Sequence, residues 1–224
     1  MNSDFSQTLL LTLELAIITT ALLLCLGVPL AYALFSLHAR WKPLLEAVVS
    51  LPLVLPPTVL GFYLLIAFGP NSWLGAWLQE NFNLRLVFTF TGLVIGSVIY
   101  SLPFMVQPVQ SGLEKLPPNL AEASYALGKS RTETFFNVLL PNIKPSLLTG
   151  IVLSFAHTIG EFGVILMIGG NIPGETRVAS IAIYDEVESL HYAVANRYAA
   201  VLLIFSFVIL LLVYTFNQRA KRLL

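Results

Sequence analysis

The strongest constraint on this chain is a set of long stretches with no charged side chain. Leu15–Leu37, Ala47–Gln79, Leu86–Leu113 and Tyr198–Gln218 carry none, and Pro145–Gly174 is broken only by Glu161. A membrane-crossing helix needs about 20 mainly apolar residues. Five spans are read, at about 10–37, 44–68, 88–112, 146–169 and 197–217, forming one transmembrane domain over residues 1–224. The balance of the sequence agrees: 11% charged residues and a mean hydropathy of +0.82 exclude a water-soluble monomer. Twelve basic and twelve acidic residues cancel, which excludes a basic nucleic-acid binder. Cys25 is the only cysteine, so neither an internal disulfide nor a thiolate metal cluster can form. The first run is too long for a cleaved signal peptide, lacks a basic residue before it, and ends in His38-Ala39-Arg40 rather than small residues.

Basic residues set the orientation. With five spans, one side receives Arg40, Lys42, Lys115, Lys129, Arg131, Lys144, Arg219, Lys221 and Arg222, and the other only Arg85, Arg177 and Arg197. The N-terminus is therefore expected outside and the C-terminus in the cytoplasm. Tyr198, Tyr214 and Phe216 fall near the ends of the last span, as interfacial aromatics do. The loop at 113–145 is then cytoplasmic and the loop at 170–196 extracytoplasmic. Nucleotide-binding glycine motifs and HExxH are absent, and no credible nucleophile elbow occurs. If the protein does energised work, another chain supplies the energy.

Two spans are unusual inside. The second contains Pro52, Pro56 and Pro57, each of which removes a backbone donor. Irregular backbone at membrane depth is tolerated where it is buried in protein or lines a cavity, so a kinked, pathway-lining helix is expected. The fourth places Ser154, His157, Thr158 and Glu161 three or four residues apart, on one helical face. An ionisable group there faces the bundle interior or a cavity. Glu161 is open to three readings: a pore wall or gate, a structural partner of His157 at i, i+4, or a proton relay. A glutamate is a poor direct ligand for an anion, so no substrate contact is assigned to it. Glu14 and Glu46 fall near span ends, within reach of interfacial water.

The cytoplasmic loop carries the most specific signal. Asn119 is a candidate N-cap with Glu122 three residues later, Ala123 and Ala126 favour helix, and Gly128 suits a C-terminal stop with positive φ. A second short helix is expected from about Arg131 to Leu140, before Pro141. The spacing Glu122-Ala123-Ser124-x3-Gly128-x9-Val138-Leu139-Leu140-Pro141 resembles the EAA loop of ABC importer permeases, with Ser124 for the second Ala and Val138 for Ile. The resemblance implies that residues around 119–132 form a coupling helix docking into a separate ATPase subunit. Glu122, Ala123, Ser124, Gly128, Leu140 and Pro141 are its contact and framing residues.

Three stretches are similar to the molybdate branch of that family: Leu51–Gly61, Gly160-Glu161-Phe162-Gly163, and Asn171-Ile172-Pro173-Gly174-Glu175-Thr176-Arg177. Members of the family often carry Arg where His157 stands. The family likeness implies an all-α, type I ABC importer permease working as a homodimer, with two cytoplasmic ATPase subunits and an outer oxyanion-binding protein. ATP and magnesium are expected on the ATPase, and no cofactor or metal on this chain. Molybdate is the implied substrate, with sulfate, thiosulfate and tungstate as alternatives; a proton-coupled secondary transporter is the rival from another class. Segment 171–196 itself reads as an amphipathic helix at the outer interface, with Val178, Ile181, Ala182, Val187 and Leu190 at near-helical spacing. The likeness makes Asn171, Glu175 and Arg177 candidates for docking the binding protein, although Arg177 also fits an ordinary interfacial arginine.

Overall fold

The computed structural model describes residues 2–37 and 39–222. His38 lies outside the described residues, as do the side chains of Tyr214, Phe216, Arg219, Lys221 and Arg222. Among the described residues the regular structure is entirely helical. Three helices are each long and apolar enough to cross a bilayer: α1 (Asn2–Ser36), α5 (Phe90–Glu114) and α12 (Tyr192–Arg222). Helices α2 (Lys42–Val54) and α3 (Pro57–Phe68) pass that test only as a pair, bent by 111°. The stretch Arg131–Asn142 and α9 (Lys144–Gly160) form a second bent pair, at 79°.

Both ends of the first bent pair follow from proline chemistry. Pro52 sits buried within α2, while Pro56 is the N-cap of α3 and Pro57 its first residue. Two consecutive residues without N–H groups cannot continue the α2 ladder, but both suit the start of a new helix. The expected kink in the second span is thus a full break, with Leu55 extended between the halves.

A short helix that the sequence reading left unassigned, α4 (Trp73–Phe82), follows α3. Ser72 caps it by accepting a hydrogen bond from Gly75 N at 2.8 Å, and Asn83 closes it at φ +51°.

Helices α1, α5 and α9 form the centre, with α1 against α5 and α5 against α9 as the most extensive pairings. Two apolar clusters fill this centre. One joins Leu23, Ala31, Met105, Val109, Leu113, Phe135 and Ile143 near the 113–145 loop. The other joins Leu15, Leu93, Val164, Ile168 and Ile181 towards the opposite end. Lipid tails are as apolar as these residues, so close packing holds such a centre together.

The fourth span also departs from expectation. Helix α9 stops at Gly160, and a separate α10 (Gly163–Gly169) begins after Glu161 and Phe162. Gly163 allows this rejoining to sit against the α3 start: a Cβ there would lie 2.7 Å from Pro57 Cβ. Beyond α10, the expected long amphipathic helix is the shorter α11 (Ala179–Glu188). Ile181 and Ala182 are buried as the pattern requires, but Leu190 lies past the helix end, 70% exposed and at φ +60°. No side chain of its own caps α11; Thr12 of α1 does so, accepting from Ala179 N at 2.8 Å.

Candidate functional site

The two interruptions, at Leu55–Pro56 and at Glu161–Phe162, meet. Helix α10 packs on α3, and between the breaks lies a cavity of about 440 Å³. Pro57, Thr58, Tyr100, His157, Gly160, Glu161 and Gly163 are among its walls. One of the three prolines and two of the four polar residues proposed for the pathway therefore share one cavity, Pro57 at one side and His157 and Glu161 at the other, while Pro52 and Pro56 shape the break before it.

His157 is fixed on three sides. Its Nδ1 lies 3.0 Å from the Ser101 hydroxyl, its ring stacks on Phe104 with centroids 4.0 Å apart, and Tyr100 is tilted over it at 4.7 Å. Ser101 also lies 3.3 Å from Thr158 Oγ1, and Thr158 donates to the Ser154 carbonyl at 2.9 Å. Ser154 and Thr158 are buried against the bundle.

The expected His157–Glu161 pair does not form. With the helix broken at Gly160, Glu161 is the extended residue that follows α9, so the i, i+4 relation no longer places it over His157. Its backbone carbonyl accepts from Ser180 at 2.6 Å. The residue is 97% buried, and neither carboxyl oxygen has a hydrogen-bond partner. Ser97 on α5 lies close enough to act on the carboxyl, but the two do not reach hydrogen-bonding geometry.

Towards the 113–145 loop, α5 and α2 present a polar surface that sequence reading did not collect. Gln110 donates to Glu46 at 2.6 Å and to Glu114 at 3.1 Å, Gln107 donates to Ser50 at 3.1 Å, and Lys42 lies 3.8 Å from both Glu46 and Glu114. The signal was present: Tyr100, Phe104, Gln107, Ser111 and Glu114 recur at three- and four-residue steps, one face of α5.

In the loop itself, α6 (Asn119–Ala126) is followed by α7 (Arg131–Thr134), a π-helical turn (Phe135–Leu139) and α8 (Leu140–Asn142). The proposed cap Asn119 is the first helical residue instead. Pro118 already has helical angles, φ −56° and ψ −33°, and occupies the cap position without a side-chain bond. The capping box stands one helix later, where Ser130 Oγ accepts from Glu133 N at 3.2 Å and Glu133 Oε2 accepts from Ser130 N at 2.9 Å. Those bonds, with Lys129 beside it, hold the Glu133 carboxyl below its usual range. The expected stop before Pro141 gives way to the π turn, whose shifted register lets Pro141 enter α8 at its start.

Gly128 has φ +80°, Gly128 N donates to Tyr125 O, and Lys129 N donates to Ser124 O. This pair of bonds is a Schellman stop. Glu122 and Ala123 are exposed, and Leu127 is 82% exposed. Ser124 faces inward and pairs with Thr134 at 2.8 Å, while Tyr32 of α1 packs on Phe135 at 4.4 Å. The loop thus shows its Glu122–Gly128 edge and anchors by Ser124. Leu140 is half-buried and Pro141 exposed.

At the far end Asn171 and Glu175 are exposed. Arg177 is not free: it donates to Asp185 at 2.7 Å and meets Glu186 at 3.4 Å, so it braces the loop onto α11. No cluster of three metal-binding side chains occurs among the described residues.

Comparison with known proteins follows this geometry. The profile of the family described as "Binding-protein-dependent transport system inner membrane component" matches residues 23–222. The molybdenum transport system permease protein ModB of Azotobacter vinelandii is 49% identical over 94% of this chain and 93% of its own length. A putative molybdenum transport permease of Bacillus subtilis is 36% identical over 93% and 92%. The sulfate transport system permease CysT of Escherichia coli K12 is 35% identical over 88% and 70%. Among solved structures, an inward-facing methionine ABC transporter superposes with a TM-score of 0.73 at 16% identity, covering 96% of this chain and 94% of that one. A bacterial alginate ABC transporter, in complex with its alginate-loaded periplasmic protein, superposes with a TM-score of 0.79 at 17% identity, covering 97% and 79%.

Proposed function

Because the chain belongs to the family of inner-membrane components of binding-protein-dependent transport systems, we propose that it is the permease subunit of an ABC importer that carries molybdate into the cytoplasm. The observation that carries the substrate is the 49% identity to a molybdenum permease along nearly the whole of both chains. The more distant sulfate permeases keep sulfate as the second reading.

In this reading two copies form the pathway about a two-fold axis, because one bundle encloses only half of it. The N-terminus lies outside and the C-terminus inside, as the excess of basic residues on the loop side requires. A separate ATPase pair grips the α6 edge formed by Glu122, Ala123 and Gly128. ATP and magnesium belong to that pair, and this chain breaks no bond. The exposed loop at Asn171 and Glu175 receives the loaded binding protein, with Arg177 shaping that surface from behind. Closure of the ATPases draws the two α6 helices together and shifts the dimer between its two packings.

The test is uptake of labelled molybdate into proteoliposomes holding the permease, its ATPase and its binding protein. ATP-dependent uptake blocked by tungstate and not by sulfate is expected. ATP-dependent uptake of sulfate in its place would discard the substrate and keep the architecture. Uptake driven by a proton gradient without ATP would discard both.

A further inference from the structure

A pocket of about 280 Å³ lies where the end of α1 meets the loop helices, walled by Tyr32 and Phe35 of α1, Ala121 and Tyr125 of α6, Arg131 of α7, and Leu139. Arg131 is the charged group in that wall, and no carboxylate is among the described residues that line it. Lys42, Lys129 and Arg177 are each paired with a carboxylate; among the described residues Arg131 is not. The Tyr32 ring is held by Phe135, with centroids 4.4 Å apart. Partial burial, and then Tyr32, push the Tyr125 hydroxyl above its usual range, while Arg131 draws it down. It therefore stays protonated near neutral pH, a donor beside the guanidinium. A guanidinium fork flanked by hydroxyl donors is the chemistry that receives a phosphate. The chain on either side sets the depth of this pocket. Ser36 ends the first span, and Arg40, the exposed Trp41 and Lys42 follow directly. Tryptophan, tyrosine and basic side chains at the end of a span mark the headgroup layer, and basic pockets at that level suit lipid head groups.

We propose that this pocket binds the head group of an anionic phospholipid, with Arg131 gripping the phosphate and Tyr32 and Tyr125 donating to its oxygens, over an apolar floor of Phe35 and Leu139. The site depends on the chain spanning a membrane and not on which substrate it carries. Its depth favours a lipid phosphate over free phosphate. A glycerol head group is favoured over an ethanolamine one, because no carboxylate lines the pocket to receive an ammonium. Pockets that bury a whole drug-sized ligand start at about 300 Å³, so this one takes the head group and leaves the acyl chains in the bilayer. Its walls come from α1, α6 and α7, so a bound lipid ties the loop that carries the Glu122–Gly128 edge to the membrane bundle. The setting of that edge then depends on membrane charge.

The test uses the assembled transporter, permease with its ATPase, in detergent. It is titrated with dioctanoyl phosphatidylglycerol, with dioctanoyl phosphatidylcholine and inorganic phosphate as separate arms, and read by native mass spectrometry. Phosphatidylglycerol should fill one saturable site per permease copy, about tenfold more tightly than the choline lipid, and inorganic phosphate should not displace it. Arg131→Gln, Tyr32→Phe and Tyr125→Phe should each weaken that site about tenfold, the value of one lost charge-assisted hydrogen bond. Arg85→Gln, at an exposed arginine on the opposite side of the membrane, should leave it unchanged. Bound phosphatidylglycerol should also slow amide exchange over 119–126 in the unsubstituted complex and not in Arg131→Gln, a difference that a purely structural arginine would not produce. Should Arg131→Gln assemble poorly, Tyr125→Phe, which removes one hydroxyl from a partly exposed ring, carries the same test. Binding that these wall substitutions leave unchanged, equal binding of the choline lipid, or no saturable binding would each overturn the site. Displacement by inorganic phosphate at matching concentration would overturn the lipid as its occupant.

Discussion

Two helix interruptions in this molecule use glycine for opposite reasons. At Gly160–Gly163 the chain breaks inside the bundle, and Gly163 is demanded by space: Pro57 Cβ and Thr58 N stand 2.7 Å and 3.3 Å from where its Cβ would be. At Gly128 the chain breaks on the surface, and a Cβ there would meet nothing within 4 Å. Gly128 is demanded by conformation alone, at φ +80°. The first break is locked by neighbours on α3 and α11, while the second is held by two backbone bonds and a few side-chain contacts. A site in the membrane gains from rigid geometry, and a loop that grips a moving partner gains from an accessible edge.

The largest effect should therefore come from the crowded break. Gly163→Val drives side-chain atoms into Pro57, and overpacking of this kind costs about 3 kcal/mol. Little folded permease should be recovered from membranes, with a lowered thermal midpoint in detergent. A normal yield and midpoint would show that α3 and α10 slide apart more freely than their contact suggests.

Next comes the anchor between the two loop helices. Ser124→Ala leaves the Thr134 hydroxyl buried without its 2.8 Å partner, at a cost of about 2 kcal/mol. Ser124→Ala combined with Thr134→Val removes both groups and should recover most of that loss. Additive losses in this double-mutant cycle would show that the two hydroxyls do not act as a pair.

Gly128→Val sharpens the contrast further. Strain at positive φ costs about 1–2 kcal/mol, with no clash to add to it. Folded dimer should form at near-normal yield, yet transport-coupled ATP hydrolysis should fall, because α6 then ends at a different angle. Gly128→Asn, which tolerates the left-handed region, should retain most coupling. Full coupling in the valine variant would separate this loop from the ATPase contact.

How much was legible follows the same division. The apolar runs gave the helices, since runs of that length in a bilayer have few alternatives. Gly128 was legible because its stop depends on residues within five positions, 123 to 129. The break at Glu161 was not, because Ser154, His157, Thr158 and Glu161 continue a helical period through it. What breaks the helix is contact with α3, more than a hundred residues earlier, and Gly160 and Gly163 were the only local hint. The cap of α11 was equally hidden, since Thr12 lies 167 positions from Ala179. Helix α4 was lost because its first seven residues continue an uncharged run, although Ser72 after Pro70-Asn71 marked its start. Asn119 failed as a cap for a local reason: the preceding proline had already taken helical angles.

The smallest expected effect tests the loop at its weakest point, the Ser130–Glu133 capping box. Ser130→Ala should cost about 1 kcal/mol of local stability, read as faster amide exchange over 131–134 with little change in α9. The same box gives the loop a pH response with a definite sign. Hydrogen bonds from Ser130 N and Oγ, and then Lys129, hold the folded Glu133 carboxyl below its unfolded value. A depressed carboxyl stabilises the folded form above the unfolded value, and that contribution disappears as pH falls through the folded one. Exchange over 131–134 should thus accelerate on acidification below the ordinary carboxylate range, after correction for intrinsic rates. Glu133→Gln should flatten that response and leave exchange at the buried break, 160–163, as it is in the unsubstituted protein. A response that survives Glu133→Gln would assign it to another group and leave the capping box without an electrostatic share in the loop.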